Sequence, residues 1–203
     1  DTKSMTKYAK MLKEGDGIGQ NKQESIRYFK QLADKGDSKA MFIYATMLKK
    51  GDGIKKNIIE ALKYYKLAAD KGHINSMYNY ALMMDNENED DEDDDVIIGD
   101  KKEALRYYKL AADKGHIKSM YNYAFMLDEG DGVKMNKKEA FKYYKKAADN
   151  GDLESIINCA DMLYNGNGVE ENKEKAYKFY KKAADNGDHD SLIKCADMLY
   201  EGK

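Results

Sequence analysis

The side chains best suited to binding a metal ion form one acidic run at residues 85–95, which reads DNENEDDEDDD. Its nine carboxylates supply the oxygen ligands that Ca²⁺ prefers. The run lacks the ordered acidic positions, glycine and final glutamate of a helix–loop–helix calcium site. Because its like charges repel one another, we predict a solvated, disordered loop at 86–95. The alternatives are an attractor for a basic partner and a competitor for a basic groove of the same chain.

The three histidines and two cysteines could also carry chemistry. His73 and His116 each follow a glycine, and His189 lies at the start of a predicted helix. They are too far apart in sequence to converge readily on a metal, so we interpret them as surface residues at helix starts. Cys159 and Cys195 lie 36 residues apart, at positions that favour the core. Neighbouring helix axes are about 8–10 Å apart, so we expect no disulfide between them.

No other pattern predicts catalysis. The sequence shows no serine–histidine–aspartate set, no phosphate loop and no pair of buried carboxylates. The GDG loops at 51–53 and 130–132 are too short to cradle a phosphate, and no Lys-Ser/Thr pair follows them. We therefore expect no catalytic residue, no metal site and no cofactor, and we predict that the chain is not an enzyme.

The elements that must position these side chains recur along the sequence. Turn glycines of the pattern Lys/Asn-Gly-Asp/His are spaced by 36, 43, 36 and 36 residues, at Gly36, Gly72, Gly115, Gly151 and Gly187. A second set of glycines, which opens GxG pairs, has the same spacing except across residues 51–130. One repeat therefore carries a seven-residue insertion, at the acidic run.

Each repeat predicts two helices joined by a turn. In the second repeat Met41, Tyr44 and Leu48 share one helical face, Gly51 ends that helix, and Asn57 is a favourable N-cap for the next one. The predicted first helices lie near 3–13, 38–49, 74–85, 117–128, 153–164 and 189–200. The predicted second helices lie near 22–35, 58–71, 101–114, 137–150 and 173–186. One such pair cannot bury its apolar face alone, so neighbouring pairs should stack into a continuous core.

Composition limits the compartment and the partners. No segment approaches the roughly 18 apolar residues of a membrane-spanning helix, and the polar start at Asp1-Thr2-Lys3 leads us to expect no signal peptide. Two cysteines in 203 residues favour a reducing compartment, so we predict a cytoplasmic protein with no membrane partner. Outside the acidic run the chain carries 35 basic and 28 acidic side chains. This excess is not clustered, so we expect no nucleic-acid partner.

The repeat unit, read A…YA..ML..GDGI….EALKYYKLAADKG, resembles the Sel1-like repeat, a relative of the tetratricopeptide repeat. Its strongest matches are the GxG(I/V) loops at 51–54, 130–133 and 166–169. The resemblance implies an all-α fold, an α-α superhelix or solenoid of about five and a half helix–turn–helix repeats. It covers a single array, 1–203, with units near 1–36, 37–72, 73–115, 116–151 and 152–187 and a half unit at 188–203.

The chain departs from the family pattern in the middle of its first helices. Tyr-Ala or Cys-Ala stands where the family usually has Leu-Gly, as at Tyr44-Ala45 and Cys159-Ala160. Alanine still permits close helix packing, with a better helix propensity than glycine. A secreted branch of the family has a cysteine pair in each repeat, which this chain lacks. We therefore expect neither the secretion nor the hydrolase activity of that branch.

The resemblance also implies a concave groove lined by the first helices. Its predicted partner-binding side chains are aromatic or apolar residues and a column of asparagines: Phe42, Tyr78, Asn79, Leu82, Tyr121, Asn122, Phe125 and Asn158. Aromatic side chains dominate binding hot spots, and an amide can donate to and accept from a peptide backbone. Alternatively, the large side chains pack against neighbouring first helices and the asparagines are only solvated. The groove should change from basic near Lys3 and Lys39 to acidic near Glu154 and Asp190.

These features together predict a non-enzymatic scaffold or adaptor that binds a partner protein or an extended peptide on its concave face. The alternative is a structural or regulatory repeat segment of a larger protein that positions another domain. Neither end carries a polar capping unit, so we expect a segment of a longer protein that could associate end to end through its uncapped termini.

Overall fold

The computed structural model describes residues 2–85, 99–200 and 202. Within these ranges the chain forms eleven α-helices and no strand. Their bounds are α1 Thr2–Glu14, α2 Lys22–Asp34, α3 Ser38–Lys50, α4 Ile58–Asp70, α5 Ile74–Asp85, α6 Lys101–Asp113, α7 Ile117–Glu129, α8 Lys137–Asp149, α9 Leu153–Asn165, α10 Lys173–Asp185 and α11 His189–Tyr200. The predicted all-α repeat fold is confirmed, and each predicted helix is present to within one residue at either end. The predicted loop at 86–95 lies outside the described residues.

The helices belong to two compact units, Asp1–Tyr107 (unit 1) and Tyr108–Lys203 (unit 2), and α6 contributes to both. In unit 1 each helix from α1 to α4 packs against the next one. In unit 2 the same holds from α7 to α10. The buried side chains of α3 include Ala45 and Leu48, and those of α4 include Ala61 and Tyr65. Small alanines at these positions allow close approach, and the larger side chains fill the remaining space.

Each second helix begins at an asparagine or aspartate cap, which is Asn57 in the second repeat, as predicted. The side chains of Asn21, Asn57, Asn136 and Asn172 each accept a hydrogen bond from the backbone N–H three residues later. Asp100 does the same with the backbone of Glu103, at 3.0 Å. Each cap satisfies a backbone N–H that has no partner inside the helix.

The residues before two of the first helices are histidines, His73 and His116. The interpretation of these two histidines as plain surface residues needs correction. His73 and His116 lie at helix starts, as predicted, but both are partly buried. His73 Nδ1 accepts from the Ser76 N–H at 3.3 Å, and His116 Nδ1 accepts from the Ser119 N–H at 3.2 Å. They therefore act as N-caps. Aspartate does this in other repeats, as Asp37 and Asp152 show.

Replacing both histidines with aspartate should flatten the dependence of stability on pH. Burial, and then Lys39 and Lys118 respectively, lower the pKa of His73 and of His116. The folded chain thus favours neutral imidazole. Stability is fully present above the ordinary histidine pKa and is lost as the pH falls through the lowered pKa of the folded state. A protonated Nδ1 cannot accept, so each cap contributes up to about 1 kcal/mol to the loss.

Urea unfolding of the wild type and of the double variant, between about pH 7 and about pH 5, measures this effect. His189→Gln is the control, because His189 is exposed; it should keep the wild-type pH dependence. If the double variant keeps the same dependence, the caps do not cause it.

Candidate protein-binding surface

The first helices of unit 1 carry four of the predicted binding residues: Phe42, Tyr78, Asn79 and Leu82. All four side chains are partly exposed. The Phe42 ring lies 4.9 Å from the His73 ring and 5.9 Å from the Tyr65 ring, measured between centroids. One of its faces is therefore supported from within the unit. Asn79 Nδ2 donates to the Asn75 carbonyl at 2.8 Å, so part of its hydrogen-bonding capacity is used locally.

The first helices of unit 2 carry the other four: Tyr121, Asn122, Phe125 and Asn158, which we call the unit 2 surface. Phe125 is 44% exposed, the largest exposed fraction among the predicted aromatic residues. Its ring stacks on Tyr121 with a centroid distance of 6.1 Å and an interplanar angle of 21°. Tyr121 in turn packs against Tyr144 of α8 at 5.9 Å. The pair thus presents apolar area that is already held in place, which lowers the entropy cost of contact with a ligand.

The two amides of the unit 2 surface lie at equivalent positions of α7 and α9. Asn122 and Asn158 are both partly buried, and neither side chain forms a hydrogen bond with another described residue. Each amide retains one acceptor oxygen and two donor hydrogens. A peptide backbone offers the complementary groups, so the two positions can bind it without regard to its side chains.

The burial that would exclude a binding groove is not observed. Every predicted aromatic or apolar side chain on the first helices keeps some contact with solvent. Phe42 and Tyr121 each pack against a tyrosine of the adjacent second helix, which is a different contact from the packing against neighbouring first helices that the alternative described. Whether these eight residues bind a partner stays a prediction.

The predicted charges lie where the sequence placed them within each unit. In unit 1 a pocket of about 370 Å³ between α1 and α3 is lined by Lys3, Lys7, Lys10 and Lys39 among others. In unit 2 a pocket of about 440 Å³ between α9 and α11 is lined by Glu154, Asp161, Asp188 and Asp190 among others. Both pockets lie mainly on first helices; lysines predominate in the lining of the first, and acidic side chains with one lysine, Lys194, in the lining of the second.

A network between repeats supports these surfaces, and sequence reasoning missed it. In unit 2 the Tyr123 hydroxyl of α7 donates to Glu139 of α8 at 2.8 Å. Lys109 of the preceding second helix reaches the same carboxylate at 3.2 Å. In unit 1 Tyr80 donates to Glu103 at 2.8 Å, and Lys66 pairs with that carboxylate. A first helix is thereby tied to two second helices.

The pKa shifts in the unit 2 network favour the protonation states in which its side chains interact. The hydrogen bond from Tyr123 is the first cause, and the one from Lys109 a further cause, of the lowered pKa of Glu139. The hydrogen bond to Glu139 raises the pKa of Lys109, and burial raises the pKa of Tyr123. The carboxylate, ammonium and neutral hydroxyl therefore coexist near neutral pH. The sequence pattern that could have indicated this network is a tyrosine at the same position of several first helices, together with glutamates at 60, 103 and 139 in the second helices.

Several second-helix lysines form polar contacts with other side chains or with the backbone. Lys145 pairs with Asp149 at 2.9 Å, and Lys178 pairs with Glu174 at 2.6 Å. Lys182 donates to a backbone carbonyl of the preceding second helix at 2.8 Å. These contacts tie up charge on the second helices.

The remaining chemical candidates form no site in the part of the chain that the structure describes. No three histidine, cysteine, aspartate or glutamate side chains gather there in a way that could hold a metal ion. None of the described helices has both the length and the apolar stretch needed to cross a membrane. Cys159 and Cys195 are free and buried. Burial raises the pKa of the Cys159 thiol to about 12, which leaves it protonated and weakly nucleophilic.

The repeat detected in the sequence matches the model of the Sel1 repeat five times, at residues 2–37, 38–73, 74–116, 117–152 and 153–188. The chain belongs to the Sel1-repeat family. Sel1-repeat proteins generally mediate protein–protein interactions. Comparison with curated protein sequences finds no significant match.

Solved structures agree with this assignment. A protective antigen present in uropathogenic Escherichia coli strains, which displays an SLR fold, is 25% identical with a TM-score of 0.88; the match covers 99% of this chain and 42% of that one. A Sel1 repeat protein from Oxalobacter formigenes is also 25% identical, with a TM-score of 0.76, over 100% of this chain and 80% of that one. The Sel1-repeat chain described here thus spans less than half the length of the first of these proteins.

Proposed function

We propose that this Sel1-repeat chain is a non-enzymatic scaffold that binds a partner protein or an extended peptide along its first helices. The observation that carries the proposal is the unit 2 surface. There the exposed Phe125 ring stacks on Tyr121, and the first helices α7 and α9 also carry two amides, Asn122 and Asn158, that have no hydrogen-bond partner among the described residues. General protein-binding use of Sel1 repeats supports it.

The side chains of the unit 2 surface would contribute to binding in two different ways. The stacked pair of Tyr121 and Phe125 offers apolar area for one large side chain of the ligand. Asn122 and Asn158 can each donate to a carbonyl and accept from an N–H of the ligand backbone. Affinity would then come mainly from the aromatic pair, and the orientation of the ligand from the amides.

The thiol and imidazole groups of the described chain favour a scaffold over an enzyme. Catalysis needs a nucleophile or base held against an orienting group in a pocket. The buried Cys159 thiol is protonated, and the partly buried His73 and His116 rings are occupied as helix caps. The proposed scaffold therefore needs no cofactor and no metal ion.

Tyr121→Ala/Phe125→Ala should lower the affinity for a captured partner at least about tenfold, because truncation of a central aromatic anchor commonly costs about 2 kcal/mol or more. The measurement is affinity capture from a cell lysate with the full chain, followed by titration of the recovered partner. Asn122→Ala/Asn158→Ala tests the amides separately and leaves the aromatic packing unchanged.

The control is Leu110→Ala/Met135→Ala. These apolar side chains belong to the same unit and are 39% and 52% exposed, but neither lies on a first helix. The control should recover the partner as the wild type does. Equal recovery by wild type and both surface variants would contradict the assignment and favour a purely structural segment.

A further inference from the structure

The basic pocket of unit 1 lies between two helices that are rich in lysine. Helices α1 and α3 together hold seven lysines and one acidic residue, Glu14. The pocket between them has a volume of about 370 Å³ and is lined by Thr2, Lys3, Thr6, Lys7, Lys10, Asp37 and Lys39. The single carboxylate in this lining, that of Asp37, already accepts from the Ala40 N–H at 2.9 Å as the cap of α3.

Three lysines of this pocket keep their charge uncompensated. Lys7, Lys10 and Lys39 form no ion pair with any described residue. On the second helices of the same unit, by contrast, Lys30 pairs with Asp34 at 3.1 Å and Lys66 pairs with Glu103. Ion pairs thus neutralise lysines such as Lys30 and Lys66 on the second helices, whereas Lys7, Lys10 and Lys39 on the first helices have no such partner.

The spacing of the α1 lysines suits an extended chain. Lys3, Lys7 and Lys10 follow i, i+4 and i+7, so they share one helical face at intervals of about one turn, or about 5.4 Å. In an extended peptide, every second side chain lies on the same side, about 6.6 Å from the last. Successive carboxylates on one side of such a peptide can therefore face successive lysines.

We infer that this pocket binds an acidic segment of a partner protein in extended conformation. The inference rests on the proposed scaffold function and specifies the chemistry of one class of partner. The equivalent pocket between α9 and α11 in unit 2 holds Glu154, Asp161 and Asp190 with a single lysine, Lys194, so the lysine-rich lining belongs to α1 and α3 and is not a general property of the repeat.

A peptide fits the pocket better than a nucleic acid. Single-stranded nucleic acids are held by aromatic stacking and by arginine as well as by lysine. The lining of this pocket contains no aromatic side chain and no arginine. Its positive charge also covers only about two helical turns, which matches a short acidic segment.

The test is fluorescence anisotropy with the full chain and three labelled peptides of about twelve residues, long enough to span about 40 Å when extended. Serine alternates with glutamate in the first, with glutamine in the second and with lysine in the third. The glutamate peptide should bind at least about tenfold more tightly than the glutamine peptide, and added salt should weaken it. Lys7→Gln/Lys10→Gln/Lys39→Gln should lower its affinity about tenfold, since each exposed pair contributes modestly.

The matched control is Lys35→Gln/Lys63→Gln/Lys102→Gln, which removes the same charge from exposed lysines outside the first helices of unit 1. It should bind the glutamate peptide as the wild type does. Equal weakening by both triple variants would show a general charge effect and overturn the pocket. Equally tight binding of an oligouridylate of the same net charge would overturn the peptide assignment. Self-association of the chain that the pocket variant abolishes would assign the pocket to the chain's own acidic run instead.

Failure of this inference can be told apart from failure of the scaffold proposal. If the glutamate peptide does not bind while a partner is still recovered through the unit 2 surface, only the acidic-segment inference falls. If no partner depends on the unit 2 surface but the glutamate peptide binds through the three lysines, the broader assignment of that surface falls instead.

Discussion

Gly168→Ala is expected to lower the free energy of unfolding by about 3 kcal/mol. Gly168 has φ +75°, where an L-residue costs about 1–2 kcal/mol more than glycine. A Cβ added there would also lie 2.5 Å from the Lys137 Cβ, 2.7 Å from its carbonyl carbon and 2.9 Å from its carbonyl oxygen. Since these atoms include backbone at the start of α8, relieving the overlap should cost about 1–3 kcal/mol more.

Gly151→Ala separates the two causes. Gly151 has a similar backbone conformation, with φ +88°, but an added Cβ would meet nothing within 4 Å. This variant should lose only about 1–2 kcal/mol. Urea unfolding followed by circular dichroism, with unchanged m-values, gives both numbers. Equal losses in the two variants would mean that the contact with Lys137 contributes nothing.

The same contact explains why the second glycine of the GxG loop recurs with the repeat. In unit 1 a Cβ at Gly53 would lie 2.6 Å from the Cβ of Lys22. The Lys22 ammonium group also pairs with Asp52 of that loop at 2.6 Å. A loop at the end of a first helix thus presses on the start of the preceding second helix. The regular spacing of these glycines therefore reflects a contact between neighbouring repeats as well as a turn within each repeat.

The fold could be predicted from the sequence because its signals are local. Glycines such as Gly51 and Gly166 end helices in the left-handed conformation, and asparagines such as Asn57 and Asn136 begin them. Each signal acts within a few residues and is repeated five times or nearly so. The helix bounds follow from these positions without any knowledge of the packing.

The histidine caps and the network between repeats could not be predicted in the same way. Histidine is not among the common N-cap residues, so only the geometry at His73 and His116 reveals the role. The ion pairs of the network join side chains that are 30 and 37 residues apart, Lys109 with Glu139 and Lys66 with Glu103. A helical pattern gives the face on which such a side chain lies, but not the residue of the next repeat that it meets.

The candidate surface could be predicted from the sequence only in part. The helical register of the first helices placed Phe125 and Tyr121 on a face away from the core, and both keep contact with solvent. The register did not indicate that Tyr121 leans on Tyr144 or that Phe125 stacks on Tyr121. Those contacts depend on the rotamers and on the second helix, and they decide how rigid the surface is.

In the last full repeat, three residues of these hydrogen-bonded contacts between repeats are replaced together. At the positions of Tyr123, Glu139 and Tyr143, the next repeat holds Cys159, Lys175 and Phe179. Loss of one partner would leave a buried hydroxyl or a carboxylate without its hydrogen bond, which costs more than replacing all of them. Replacing all three residues together avoids the cost of a buried polar group without a partner. It also leaves one acceptor of the set in place, Asp149.

Tyr143→Phe should therefore lower the free energy of unfolding by about 1.5 kcal/mol, the lower end of the range for a hydrogen bond to a charged group. The Tyr143 hydroxyl donates to Asp113 at 2.6 Å, and its ring is 3% exposed, so phenylalanine fits without other change. Tyr177→Phe is the control, because the Tyr177 hydroxyl has no hydrogen bond to another described residue. It should stay within about 0.5 kcal/mol of the wild type.

The reciprocal variant, Phe179→Tyr, should raise the free energy of unfolding by about 1 kcal/mol. In unit 1, Asp34 accepts from Tyr64 through Oδ1 and from Lys30 through Oδ2. In unit 2, Asp149 pairs with Lys145 through Oδ2, and position 179 is where a tyrosine would reach Oδ1. Urea unfolding of both variants, with their double combination, measures the bond in two places. A loss in Tyr143→Phe without a gain in Phe179→Tyr would show that Asp149 is not positioned to accept, and no change in either would contradict the hydrogen bond as a source of stability.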